Sequence, residues 1–359
     1  MDRRSFLQLS AGFAAFPFAA RAAFQPAPSG WRTFQTVTRL ELPAAQTKAQ
    51  AWVPVASVNE AAWMTSGEAS WTGNADEVSL KTDPVSGAQF VHAVWAAHDA
   101  PVLEVTTSVR TQDRAVDLSQ PGETPALSDA DRALYTSATE LLPTDGIVLE
   151  TAQQIVTGAK TDLQKARRIY EWIVENTARN PETRGCGLGD IASMLHTGDL
   201  TGKCADLNAL YVGLARAAGL PARDIYGLRV APSAFGYKSL GAGSANVTKA
   251  QHCRAEVFLE GFGWVAVDPA DVRKVMLQEP PTDLSLDDPK VVDVRKGLFG
   301  GWEGNWLGYN FAHDVVLPGS EGDAVEYLMY PQAEIDGARQ DSLEPDDFVY
   351  TITASELPA

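Results

Sequence analysis

Hydrophobic and polar residues alternate with period two through Phe34-Gln-Thr-Val-Thr-Arg-Leu-Glu-Leu42, the pattern of a strand with one face buried. Ala88–Trp95 and Val102–Val109 are rich in β-branched and aromatic residues, and clusters of Gly, Asp, Asn, Pro and Ser separate the runs. Residues 23–117 therefore predict a β-sandwich-like N-terminal domain. The period then changes. Asp129-Ala-Asp-Arg-Ala-Leu134 opens a helical segment, and in Asp162–Asn176 the residues Leu163, Ala166, Ile169, Tyr170 and Ile173 share one helical face. Leu207, Leu210, Tyr211, Leu214 and Ala218 repeat that spacing; Gly219 supplies a left-handed cap and Pro221 prevents continuation. His252–Asp268 predicts a hairpin. With Glu260-Gly261-Phe262 as its loop, Phe258 faces Trp264, Val257 faces Val265 and Ala255 faces Val267. Residues 118–275 thus form a mixed core. Residues 276–359 predict a polar linker over 276–298, with Pro280, Pro281 and Pro289 among many acids, and then a C-terminal β region.

Composition narrows the function. A formal net charge of -17 in 359 residues opposes nucleic-acid binding, which needs a basic footprint. No apolar run reaches the roughly 18–20 residues of a membrane span, so no stable membrane insertion is expected of the mature chain. Three cysteines rule out a disulfide scaffold, and no Cys/His spacing reads as a zinc site. No calcium loop is evident, and no metal or organic cofactor is implied. At the N-terminus, Arg3-Arg4-Ser5-Phe6-Leu7, an apolar stretch over 9–20 and the small residues of Ala20-Arg21-Ala22 predict a twin-arginine signal peptide over residues 1–22, hence a periplasmic or secreted protein.

The chemistry concentrates in two segments. The helix predicted after Gly202 starts near Lys203, which puts Cys204 in its first turn. There the helix dipole and unpaired N–H groups favour the thiolate, and the same N–H groups suit an oxyanion. Asp206, in the same turn, pushes the thiol the other way, so a partner base is required. In the hairpin register, His252 and Asp268 point to one face of neighbouring strands, while Cys253 points to the opposite face and Arg254 opposes Asp268. A carboxylate there orients an imidazole, and an imidazole accepts a thiol proton, which is the logic of a Cys–His–Asp triad. Read singly, Cys204 also fits a small buried residue capping a core helix, and His252 an incidental histidine on a surface hairpin.

Together these segments resemble the transglutaminase-like superfamily of papain-type folds. The matching features are Gly202-x-Cys204 opening a helix and Arg216-x-x-Gly-Leu-Pro-Ala-Arg223 closing it. Gly227 follows in the next strand, and His252-x-x-x-Glu256 precedes Gly-x-Gly-Trp-Val-x-Val-Asp268-Pro269. The resemblance covers roughly residues 160–275. It implies an α+β fold, with the cysteine-bearing helix packed on an antiparallel sheet and flanked by β-rich regions. It implies Cys204 as nucleophile, His252 as base and Asp268 as orienter, acting on an amide or peptide carbonyl through an acyl-thioester resolved by water or an amine. The substrate is then a protein or peptide, with a cell-envelope source in view; the chain leaves the oligomeric state open. A non-catalytic cell-envelope binding protein on the same scaffold is the rival reading, and arylamine acyl transfer a second. Where relatives carry an aromatic residue just after the histidine, this chain has Cys253-Arg254. Trp172 and Gln251 are the candidate side-chain oxyanion donors. Cys186 and Cys253 are candidates for a disulfide that leaves Cys204 free, with two unpaired buried thiols as the alternative. Trp302 and Trp306 are candidates for cleft lining or for core packing.

Overall fold

The computed structural model describes residues 23–358, so the expected signal peptide over 1–22 lies outside the described residues. Six strands come first: β1 (Arg32–Glu41), β2 (Ala45–Pro54), β3 (Met64–Gly73), β4 (Glu77–Thr82), β5 (Gln89–His98) and β6 (Val102–Thr111). They form two antiparallel sheets, and each recruits strands from the far end of the chain. One sheet runs Tyr350–Leu357, β1, β6, β3; the other runs Ala338–Arg339, Gln332–Ile335, β2, β5, β4. The alternation read in β1 is real: Phe34, Thr36, Thr38 and Leu40 are buried, while Arg39 and Glu41 are exposed. The buried hydroxyls of Thr36 and Thr107 meet across β1 and β6 at 3.0 Å, which satisfies a polar pair inside an apolar layer. Phe34, Leu40, Ala49, Ala51, Trp95 and Leu103 join one continuous core with the helices. The other face of β2 and β5 is covered too, by Ala312, Val315, Leu317, Val325 and Leu328 around Trp52 and Phe90.

Helices α1 (Asp129–Thr136), α2 (Gly146–Val156), α3 (Asp162–Asn176), α4 (Ile191–Thr197) and α5 (Cys204–Ala217) follow. The expected face of α3 is largely inside, with Ala166, Ile169, Tyr170 and Ile173 buried. Helix α5 packs against α2, α3 and a third sheet and is buried on every side. That sheet is antiparallel, in the order Gly263–Val267, Arg254–Leu259, Ala222–Arg229, Trp306–Asn310. After α5, Gly219 takes the expected left-handed conformation at φ +81°, and Leu220 N–H returns to the Ala215 carbonyl at 2.9 Å, closing the helix end. Helix, sheets and connecting segments make a mixed α+β fold in which α5 packs on an antiparallel sheet between β-rich flanks.

The linker expected over 276–298 is instead substantially helical. Helices α6 (Pro269–Gln278) and α7 (Pro289–Gly297) pack on each other, and Val291 and Val294 are buried. Of the prolines and acids that suggest a linker, Pro289 and Asp288 start α7, while Pro280 and Pro281 lie in the turn after α6. Asp288 caps α7 through Lys290 N–H with Pro289 at the first position, where a missing N–H costs nothing. Asp293 accepts from Phe24 N–H at 2.7 Å and Tyr237 O–H at 2.9 Å.

Candidate active site

Cys204 is the first residue of α5, so its N–H has no acceptor within the helix. The helix start is fixed by Asp206. Its carboxylate accepts N–H bonds from Lys203 at 2.9 Å and from Leu188 and Gly189 at 3.0 Å. The carboxylate that the sequence placed against the thiol is thus spent on clamping the Gly-rich loop 185–189 to the helix. Gly187 permits that clamp: at φ +97°, its Cβ would lie 1.9 Å from Asp206 Oδ2. The Cys186 carbonyl then accepts the Ala205 N–H at 2.8 Å.

The hairpin has the expected register, with Phe258 opposite Trp264, Val257 opposite Val265 and Ala255 opposite Val267. It brings His252 and Asp268 together. Nε2 of His252 lies 2.8 Å from Asp268 Oδ2, which leaves Nδ1 for the thiol. Asp268 has a second task as the cap of α6, accepting from Asp271 N–H at 3.0 Å. Arg254, which opposes Asp268 in the hairpin register, forms a 3.6 Å ion pair with it. It is held between the rings of Trp302 and Trp306, at 5.1 and 4.7 Å. The two tryptophans are buried core and do not line the cleft. Trp306 donates its indole N–H to the His252 carbonyl at 2.9 Å, and Gly227 makes room for it, since a Cβ there would lie 2.4 Å from the indole.

Three contributors escape the sequence reading. Asp271 lies 3.4 Å from His252 Nε2 and is held by Arg229, whose Nη2 reaches both its oxygens at 2.6 and 2.8 Å. Asn208, one turn beyond Cys204, donates to the Cys253 carbonyl at 2.8 Å and to Asp268 Oδ1 at 3.3 Å. The signal for Asp271 was present: Asp268-Pro-Ala-Asp271 is a cap followed by an acid in the first turn.

Electrostatics favour a charged pair. Hydrogen bonds from the Cys186 and Cys253 thiols hold Cys204 well below the ordinary thiol range; burial opposes them, and a hydrogen bond and charge from His252 add to the effect. Burial and Arg229 push the His252 imidazole down, but Asp271 and Asp268 outweigh both and lift it to about 9. Asp271 itself is kept well below the carboxylate range, Arg229 overcoming its burial.

All three cysteines are free thiols, so the Cys186–Cys253 disulfide is not formed in this structure. Their sulfurs nevertheless lie within 4.8 Å of one another. The opposite-face placement of Cys253 fails because the strand begins only at Arg254. Residues 252 and 253 precede the pleat, and both converge on Cys204. These thiols, and separately His252, Asp268 and Asp271, have the spacing of metal-ligand sets. The second set is already balanced by Arg229. Of the two oxyanion candidates, Gln251 borders the cleft but donates to the Thr248 carbonyl at 2.9 Å. Trp172 packs against the core.

A thiol at a helix start, facing an imidazole and a carboxylate that flank the two ends of a hairpin, is the arrangement of the papain-type class. The family model described as the transglutaminase-like superfamily matches residues 149–269, a stretch that holds Cys204, His252 and Asp268. An uncharacterised Haemophilus influenzae protein is 41% identical over 288 residues, covering 76% of this chain and 77% of its own. The chain belongs to the transglutaminase-like superfamily. The crystal structure of a candidate cysteine protease from Cytophaga hutchinsonii overlays with a TM-score of 0.59 at 14% identity, across 93% of both chains, and so shares the fold.

Proposed function

We propose that the protein is an exported cysteine hydrolase that cleaves amide or peptide bonds through an acyl-thioester on Cys204. The observation that carries this reading is His252, held at 2.8 Å by Asp268 and lifted to about 9 beside a thiol that is lowered. Proton and nucleophile are already separated between the two side chains. The Cys204 thiolate attacks the carbonyl carbon, and the tetrahedral oxyanion is met by the unpaired N–H of Cys204 at the positive end of α5. His252 gives its proton to the leaving amine as the C–N bond breaks. A water then attacks the thioester carbonyl while His252 takes its proton, and the C–S bond breaks to release the acid and restore Cys204. Water is the favoured acceptor because the cleft, about 820 Å³ and lined by charged residues including Arg179, Lys203, Lys249 and Lys274, has no dry channel that would reserve the thioester for an amine. Export rests on the paired arginines and the Ala-x-Ala end of residues 1–22.

The test is labelling of the protein by iodoacetamide over pH 4–9, read at Cys204 by peptide mass spectrometry, together with hydrolysis of a peptide library. Fast labelling well below the free-thiol pKa of about 8.5, lost in His252→Ala, is expected, with cleavage lost in Cys204→Ala. Slow labelling that His252→Ala leaves unchanged would overturn the reading in favour of a non-catalytic binding protein.

A further inference from the structure

The protein is strongly acidic, at -17, yet the wall around Cys204 is basic. Arg179, Lys203, Arg229, Lys249 and Lys274 all border the cleft, and Asp346 is the acidic residue among its lining. Two of the cations are balanced locally, Arg229 by Asp271 at 2.6 Å and Lys249 by Asp346 at 3.3 Å. Among the described residues, Arg179, Lys203 and Lys274 have no carboxylate within ion-pair distance. Lys203 reaches only the Thr183 carbonyl, at 2.6 Å, and Arg179 Nε is buried without a hydrogen-bond partner. Burial and Arg229 push the Lys274 ammonium down to about 8, the mark of a desolvated cation without an adequate counter-charge. Uncompensated cations at partly buried positions are costly. Three around one thiol, in a chain with an excess of acids to spare, fit a site whose missing anion arrives with the substrate.

We propose that Arg179, Lys203 and Lys274 form a cationic subsite that selects acidic peptides, binding a substrate carboxylate beside the amide that Cys204 attacks. The inference deepens the hydrolase reading and rests on it for the word substrate. A positive cleft on a negative molecule also steers such a peptide inward and turns away neutral or basic ones.

The experiment uses two reagents of one size and one reaction, differing in charge: iodoacetate and iodoacetamide. Each forms the same C–S bond at Cys204 and expels iodide. The ratio of their rates cancels the fraction of thiol ionised, so a cation that merely stabilises the thiolate leaves the ratio alone. In the full protein at low salt, the iodoacetate-to-iodoacetamide ratio at Cys204 should exceed that of a small free thiol by about tenfold, the lower end of electrostatic focusing. It should fall as salt is raised and fall in both Arg179→Gln and Lys274→Gln, with Lys274→Arg restoring it. In parallel, peptides carrying Glu near the cleaved bond should have a higher kcat/KM than their Gln counterparts, through KM. A ratio equal to that of the free thiol, or unmoved by both variants, overturns the subsite. Failure of the hydrolase reading looks different: both reagents are slow and indifferent to His252→Ala, while the ratio still reports the charge of the cleft.

Discussion

Strand β1 and the strand Ala222–Arg229 are built on opposite rules. β1 hides Phe34, Thr36, Thr38 and Leu40 and shows Arg39 and Glu41 to water. Ala222–Arg229 is buried along its whole length, with Arg223, Asp224 and Arg229 inside. Charge in an interior is tolerable only when paired, and each of these charges has its partner. Arg223 Nε holds Glu256 at 2.6 Å, and Arg114 grips the other oxygen of that carboxylate. Arg229 holds Asp271, and Asp271 helps to charge His252. β1 is assembled around an apolar face; the core sheet carries paired ions inside, and one of those pairs, Arg229–Asp271, reaches His252.

The largest effect should come from Asp268→Asn. Asparagine still caps α6 but no longer supports an imidazolium, so cleavage should fall by about 10⁴-fold, with far-UV circular dichroism unchanged. A wild-type rate would remove Asp268 from the site. Next, Glu256→Ala strands Arg114 as a buried unpaired cation, leaves Arg223 with Glu60 as its remaining carboxylate at 2.6 Å, and should cost about 3–5 kcal/mol in urea unfolding. A loss under 1 kcal/mol would mean the core sheet does not depend on its ions. In the outer sheet, Leu40→Ala should cost about 3 kcal/mol through a cavity and leave iodoacetamide labelling of Cys204 unaltered; a changed labelling rate would couple the two regions. The pH profile gives a smaller, sharper test. His252 is lifted to about 9, so its proton is present below that value and lost above it. Cleavage should therefore decline above about pH 9, roughly tenfold per unit. The stability contributed by the charged imidazole is full below about 6.5 and is lost as pH rises from there through about 9. Smallest is Arg32→Ala, which removes the half-exposed Arg32–Glu356 pair of 2.7 Å. It should shift stability by about 0.5 kcal/mol, and a larger change would give the outer sheet an ionic role as well.

What the sequence disclosed follows the same division. The approach of His252 to Asp268 was legible because its signals are local. Gly219 and Pro221 end α5, and one three-residue loop sets the register that brings His252 to Asp268. β1 was legible because water lies on one of its faces. β2 was not, because residues Gln50–Pro54 are buried throughout, with Trp52 turned into a second small core, and period two disappears when both faces are covered. Helix α7 was hidden behind prolines and acids, of which Pro289 and Asp288 turned out to be its start. The meeting of Cys186, Cys204 and Cys253 could not be read from spacing at all. It depends on the Gly-rich loop folding onto Asp206, a contact between residues far apart in the chain.

The pairing of Tyr350–Leu357 with β1, and of Gln332–Ile335 with β2, carries a consequence for the order of events during synthesis. Strands β1 and β2 have partners that are made only after the whole helical core. Neither outer sheet can close over its intended neighbours until Gln332–Ile335 and Tyr350–Leu357 have been made, whereas the hairpin rests on local contacts. Until then β1 and β2 each present an open edge, the hazard that strands face when a partner is late. A route that exported the chain as it emerged would have to protect those edges outside the cell. One that waits until these late strands are made would let them find β1 and β2 first.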